Sequence, residues 1–374
     1  MKRISFFAVA VCGALSAAPA HADFSVLGVT MTDLGTLGGQ VSEAYDVNDA
    51  GTIVGYSIDS LRAWRAFHYT DGVMYHVTIP ASDSSWALGI NNLGQIVGNW
   101  RDSTGEHAYR WHSGFFEPLE EGAPFFETVE SSAIAIADTG RTVGQLKYPR
   151  PLGLGFSAAN MWPTPASQHL LYPSLIPEEF SAYVRDVDEL SRAVLWDARY
   201  EKSYLVNPFG PFATMFREVP PPPPVAGYEF EYLDALGLHE NNGVVGTALY
   251  STPSDYDYLR AYYWNTLSRN VTLLPQLTGG WRSVADDING QGLIAGWSQY
   301  APSWTSEDIH EVAFIYHADF GMYALPRGLF HTCHARALNE RNQEGIVYVV
   351  GWCEGTKGRS AIRWNVRIKG NPRA

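Results

Sequence analysis

Apolar and polar positions along this chain alternate in short runs, and the runs return in a fixed order. Ala44-Tyr45-Asp46-Val47-Asn48-Asp49-Ala50-Gly51-Thr52-Ile53-Val54-Gly55 is followed by Ala66-Phe67-His68-Tyr69 and by Met74 to Val77. The order returns as Ala87 to Ile90, Asn91, Gly94, Ile96-Val97-Gly98, Ala108 to Trp111 and Phe116 to Leu119. Further copies begin at Ala133, Ala235, Ala285 and Ala335, and their third runs end at Trp162, Trp264, Tyr316 and Trp364. A worn copy lies between them at Val184, Val187, Asp188, Ala193-Val194 and Trp196. The chain therefore reads as about seven copies of a degenerate repeat of roughly 50 residues.

Each run has a physical reading. The first carries small or branched residues near every second place, as a strand crowded near an axis would. Asn-x-x-Gly is turn chemistry: the Asn side chain bonds backbone two residues on, and Gly takes the left-handed conformation that closes a short hairpin. Ile-Val-Gly is the returning strand, Ala-x-x-Trp/Tyr a third and the Met-x-x-Leu-like run a fourth. The fold class expected is all-β, a β-propeller of seven four-stranded blades. A β-solenoid and two stacked sandwiches are the rival architectures. The last copy stops soon after its third run, whereas Phe24 to Leu34 precedes the first copy as an orphan fourth strand. Pairing the two would close the ring and leave no long strand edge exposed.

The start of the chain narrows the setting. Lys2 and Arg3, the apolar Ile4 to Ala18 and then Ala20-His21-Ala22 have the form of a secretory signal cleaved after Ala22. A lipoprotein signal at Cys12 fits less well, because Val11 stands where a small residue is wanted. The domain expectation is a signal peptide over 1–22 and one propeller over 23–374. No later stretch is long enough to span a membrane as a helix. A secreted or periplasmic, monomeric chain without a transmembrane anchor is expected. Loss of Lys2 and Arg3 takes the formal charge from −13 to −15, and so acidic a surface repels phosphate backbones, which excludes nucleic acid as a partner.

The repeat resembles the bacterial extracellular repeat proteins of the HAF family, named for a His-Ala-Phe triplet. Leu34-Gly35-Thr36-Leu37-Gly38-Gly39, Asn-x-x-Gly, Val-Val-Gly and Ala-Phe-x-Trp-like segments carry the likeness, and His107-Ala108-Tyr109 comes nearest the eponymous triplet. It spans most of residues 30 to 364. It implies export and a propeller-like repeat fold, and brings no catalytic motif with it.

No nucleophile elbow, phosphate loop, dinucleotide fingerprint, zinc-protease helix or calcium-hand loop is present. Trp111, Trp162, Trp264 and Trp364 fall on third strands and read as packing between blades. Other Trp residues fall near blade connections: Trp86 and Trp281 before a first strand, and Trp100, Trp297 and Trp304 after a second. Both kinds of connection emerge on one end of the ring. Trp281, Trp297, Tyr300 and Trp304, with Trp86 and Trp100, are accordingly either a ligand rim suited to sugar rings or loop packing. The charges on first strands, Asp46, Asp286, Asp287 and Arg336, belong to neighbouring copies of a closed ring and could meet at its channel. They read either as an ion-pair network or as a site for a cation or a substrate carboxylate, calcium being the cation considered; no other cofactor is implied. His331-Thr332-Cys333-His334 with Cys353 allows a zinc site, but two cysteines in an exported chain favour a Cys333–Cys353 disulfide. The hairpin sum supports the bond, since Ala335 opposite Gly351 puts Cys333 opposite Cys353. The Pro220 to Pro224 run reads as a stiff connector. Three functions follow as expectations: a binding module for extracellular glycan or protein, an enzyme on extracellular polysaccharide (hydrolase or lyase), or a spacer without ligand.

Overall fold

The computed structural model describes residues 24–119, 130–148, 156–164, 167–171, 182–209, 215–252, 258–302 and 308–371. The expected signal sequence and Trp304 lie outside them. Among the described residues there are 28 strands and no other extended element. They form five four-stranded antiparallel sheets and one of eight strands, the latter being two four-stranded units joined by a single parallel pair, Glu311 with Thr332.

In chain order the first blade comprises Gly38–Val47, Ile53–Asp59, Trp64–Thr70 and Val73–His76. The second is Ser84–Ile90, Ile96–Asp102, Gly105–His112 and Phe115–Pro118, and the third Glu130–Ile136, Thr142–Tyr148, Phe156–Thr164 and Ser167–Leu170. The fourth is Ala182–Val187, Ala193–Asp197, Lys202–Val206 and Phe216–Glu218, and the fifth Glu229–His239, Gly243–Ser251, Tyr258–Asn265 and Val271–Leu273. The sixth is Ser283–Ile288, Ile294–Tyr300, His310–His317 and Gly321–Ala324. Thr332–Leu338, Ile346–Gly355 and Gly358–Lys369 make the seventh, and Ser25–Asp33 supplies its outer strand by pairing with Gly358–Lys369. Each first strand touches the first strands of both neighbours, including the seventh with the first, so the protein is a β-propeller around a closed channel.

The repeat's conserved-looking glycines answer to sterics. In the second strands of six blades a Cβ on Gly55, Gly98, Gly144, Gly246, Gly296 or Gly351 would lie 1.9–2.0 Å from a first-strand carbonyl oxygen. Only a residue without Cβ allows the two strands so close. That pinch coincides with a one-residue bulge in each first strand, for example between Ala44 and Asp46. The worn fourth blade keeps the bulge, between Val184 and Asp186, with Leu195 opposite.

The core lies between blades. Trp364 and Val349 of the seventh pack with Ala295 and Ile315 of the sixth, Trp264 of the fifth with Val194 and Leu205 of the fourth, and Trp162 of the third with Val97 of the second. These three indoles are fully buried. Trp111 is only partly so, its ring 5.5 Å from His68 of the first blade. Cys333 and Cys353 are bonded, opposite each other in the register where the first blade has Ser42 opposite Ser57.

Candidate functional site in the channel

The two mouths of the channel are built differently. One mouth carries the turns between first and second strands. There Asn48, Asn91 and Asn289 of three Asn-x-x-Gly turns, and Asn339 of the seventh blade, each do two jobs. The side-chain oxygen accepts backbone N–H groups of its own hairpin, as Asn91 Oδ1 does from Leu93 and Gln95. The amide reaches the next blade: Asn48 to the Asn91 carbonyl at 3.1 Å, Asn91 to Ala137 at 3.0 Å, Asn289 to Asn339 at 3.0 Å and Asn339 back to Asn48 at 3.2 Å. Where Asn is missing, other groups close the gap. Arg141 donates to Ser191, Arg192 to the His239 carbonyl and Asn241 to the Asn289 carbonyl. Every pair of adjacent blades is thus clasped at this mouth.

Above this clasp lies a cavity of about 510 Å³ whose lining has eight carboxylates, among them Asp49, Asp138, Glu189, Glu240 and Glu340, with His239 as its one basic side chain. Deeper, three aspartates stand at one register, two residues past the strand pinch: Asp46, Asp186 and Asp287. Each accepts the N–H of the next residue and, with its other oxygen, an N–H of the following blade: Ile90, Leu238 and Leu338 respectively, at 2.8–2.9 Å. The blade that donates the N–H has Gly89, Gly237 or Ala337 at the equivalent place, leaving room. Desolvation among the strand ends pushes the carboxyl of Asp46 up to about 6 and that of Asp287 up to about 7. Asp186 is raised too, by desolvation and then by the charge of Asp287. The zinc reading fails because Cys333 and Cys353 are bonded to each other, and among the described residues no three or more His, Cys, Asp or Glu gather as a metal site.

The other mouth carries the longer connections into first strands and out of second strands. Here Arg336 pairs with Asp286 at 3.2 Å, and its guanidinium lies 6.0 Å from the Tyr45 ring. The Asp286 side chain is 10% exposed, and its Oδ2 and the Arg336 Nε are both buried without a hydrogen-bond partner. Next to this pair His334 bonds Glu311 at 2.8 Å, which helps hold the Glu311 carboxyl below its usual value. The imidazole packs against two indoles, Trp297 at 4.5 Å and nearly parallel, and Trp352 at 4.3 Å and tilted by 37°. Arg359 covers the far face of that stack, 4.0 Å from Trp352, and bonds Glu43 and Glu354. A second Arg–Asp pair, Arg185 with Asp234 at 2.7 Å, joins the fourth and fifth blades, Arg185 standing at the register of Arg336 and Asp234 at that of His334.

The expected channel charges therefore divide. Asp286 and Arg336 meet, whereas Asp46 and Asp287 turn to backbone and do not pair with Arg336. Of the aromatics, Trp297 gives one face to His334, and Trp100 packs on His107 and Phe116 of its own blade. Trp86, Trp100 and Trp297 lie within strands and not in the connections outside them, because the strands run past the short apolar motif. Trp281 is partly buried before its strand, and Tyr300 is 38% exposed at a strand end. Sequence reading passed over Asp186, His334 with Glu311, and Glu43 with Arg359. The first was visible as a third Asp in the column of Asp46 and Asp287.

No protein-family model matches the chain, and no curated protein does. Solved structures do resemble it in fold. A puromycin-hydrolyzing peptidase of Mycobacterium tuberculosis is 9% identical with a TM-score of 0.52; the match covers 94% of this chain but only 56% of that one. The β-propeller domain of the Trilobed protease from Pyrococcus furiosus is 8% identical, covering 88% and 95%, with a TM-score of 0.49. A catalytically inactive virginiamycin B lyase from Staphylococcus aureus, solved with quinupristin, is 9% identical over 90% and 99%, with a TM-score of 0.46. At such identities the likeness is one of fold alone.

Proposed function

We propose that this is an exported propeller of the HAF-repeat kind that binds extracellular glycan or protein, glycan foremost, at the connection-side mouth of the channel. The observation that carries the reading is the Asp286–Arg336 pair. It leaves one acceptor, Asp286 Oδ2, and one donor, Arg336 Nε, unsatisfied on adjacent blades. A buried polar atom without a partner costs about 1–3 kcal/mol. The Arg336 side chain is 36% exposed to the channel, and once its guanidinium turns, a hydroxyl group satisfies both at once, because it donates and accepts. Trp297 and Tyr45, both half-buried at this mouth, offer apolar faces to the ring of a sugar. Export is supported by the leader's composition and by a disulfide, a bond that persists in oxidising compartments.

A second reading, an enzyme on extracellular polysaccharide, is favoured by the His334–Glu311 pair at the same mouth. Two indoles pack on that His, whose side chain is only 12% exposed, which suits a positioning part better than an exposed proton carrier. The deciding experiment is a glycan array on the mature protein with analysis of the recovered glycan. Retention of intact glycan, lost in Asp286→Asn, is expected. Shortened or unsaturated products would favour the enzyme, and an array without hits would favour the spacer.

A further inference from the structure

The fourth and fifth blades are joined by Val219-Pro220-Pro221-Pro222-Pro223-Pro224-Val225, in which no peptide bond is cis. Five successive prolines fix φ near −65° and force each preceding residue into extended geometry, so this run is a left-handed polyproline helix of three residues per turn. Its burial follows that period. Val219 is buried, Pro222 is buried and Val225 packs partly against the same core, whereas Pro221, Pro223 and Pro224 are exposed. One edge of the helix is thus seated on the blades, and Tyr250 Oη pins it by donating to the Pro223 carbonyl at 2.8 Å. Of the other two edges, Pro221 with Pro224 faces outward in the Pro-x-x-Pro spacing, and Pro223 is exposed beside a half-buried Pro220.

The ridge does not stand alone. Tyr200 is 51% exposed and Phe230 39%, and both line a cleft of about 150 Å³ together with Pro221. Glu201, Glu218 and Glu231 edge the same cleft, with Lys202 the one basic side chain there. Joining two blades needs no such run. The connections before the second and seventh blades are shorter and free of consecutive prolines. We infer that this ridge is a preformed docking strand for a partner protein that reads polyproline in an aromatic-lined groove with a basic rim. A rigid helix loses little conformational entropy on binding, and aromatic grooves recognise two of its three edges.

The test uses the whole mature protein and a purified WW domain as a model polyproline reader. Saturable binding in an NMR titration is expected, weakened about tenfold or more by Pro221→Ala combined with Pro224→Ala. Leu267→Ala, at an exposed site on another connection, should leave it unchanged. If the double proline variant does not fold, Tyr200→Ser with Phe230→Ser probes the same patch. Absence of binding, or binding indifferent to these changes in folded protein, overturns the inference. So does concentration-dependent dimerisation that the same substitutions abolish, since the occupant would then be a second copy.

Discussion

Replacing Asn289 by Ala separates the two duties assigned to the turn asparagines. Asn289 is 2% exposed; its oxygen accepts N–H groups of Gln291 and Leu293, each at 3.1 Å, and its amide donates to the Asn339 carbonyl at 3.0 Å. Three hydrogen bonds at about 0.5–1.5 kcal/mol each, with buried partners left unsatisfied, put the expected loss at about 3 kcal/mol. Asn342 is the control. Its oxygen accepts from Glu344 and Ile346 in the same local manner, but its amide makes no clasp to another blade among the described residues. Asn342→Ala should therefore cost only the local part, about 1–2 kcal/mol. Urea titration followed by tryptophan fluorescence would read this as a lower midpoint at unchanged slope for both, and a larger drop for Asn289→Ala. Equal losses would refute the claim that the asparagines lock blade to blade.

Three further outcomes are expected. Cys333→Ser with Cys353→Ser should keep the fold, because Ser42 and Ser57 occupy that register in the first blade, while losing about 3 kcal/mol for the released 20-residue loop; failure to fold in calorimetry would contradict this. The carboxyls of Asp46 and Asp287 are raised to about 6 and about 7, so the folded state binds more protons than the unfolded chain between pH 4 and 7. Their contribution to stability is complete near pH 4 and falls away as the pH rises through 6 and 7. Asp287→Asn should flatten midpoints measured from pH 5 to 8, and an unchanged profile would sink the assignment. Removing residues 24–33 should destabilise the seventh blade, and a synthetic peptide of residues 24–33 should restore the melting transition in trans; a truncated protein as stable as the whole would deny the closing role of that strand.

The strands were legible because their constraints are local and repeat. The pinch that requires Gly55 and its equivalents leaves its mark in six blades, and the positive φ of the turn leaves Gly51, Gly94, Gly140 and Gly292 in four. The disulfide followed from the same hairpin arithmetic. The site was less legible because its partners lie in different copies, Asp286 with Arg336 and Glu43 with Arg359, and no repeat column couples them. Which of Asp286 and Asp287 meets Arg336 depends on the bulge between Ala285 and Asp287. An extra residue resets the alternation of faces there, and sequence spacing does not mark it. Asn-x-x-Gly read as turn chemistry alone, since the amide's bond to the next blade appears only once the ring closes.

The most direct measurement of the binding account is the structure of the mature protein with a glycan retained on the array. The account predicts a ligand hydroxyl within hydrogen-bond distance of Asp286 Oδ2 and Arg336 Nε, with a sugar face against an aromatic ring of that mouth. A ligand seated instead among Asp49, Glu240 and Glu340 at the opposite mouth, with the Asp286–Arg336 pair untouched, would contradict it.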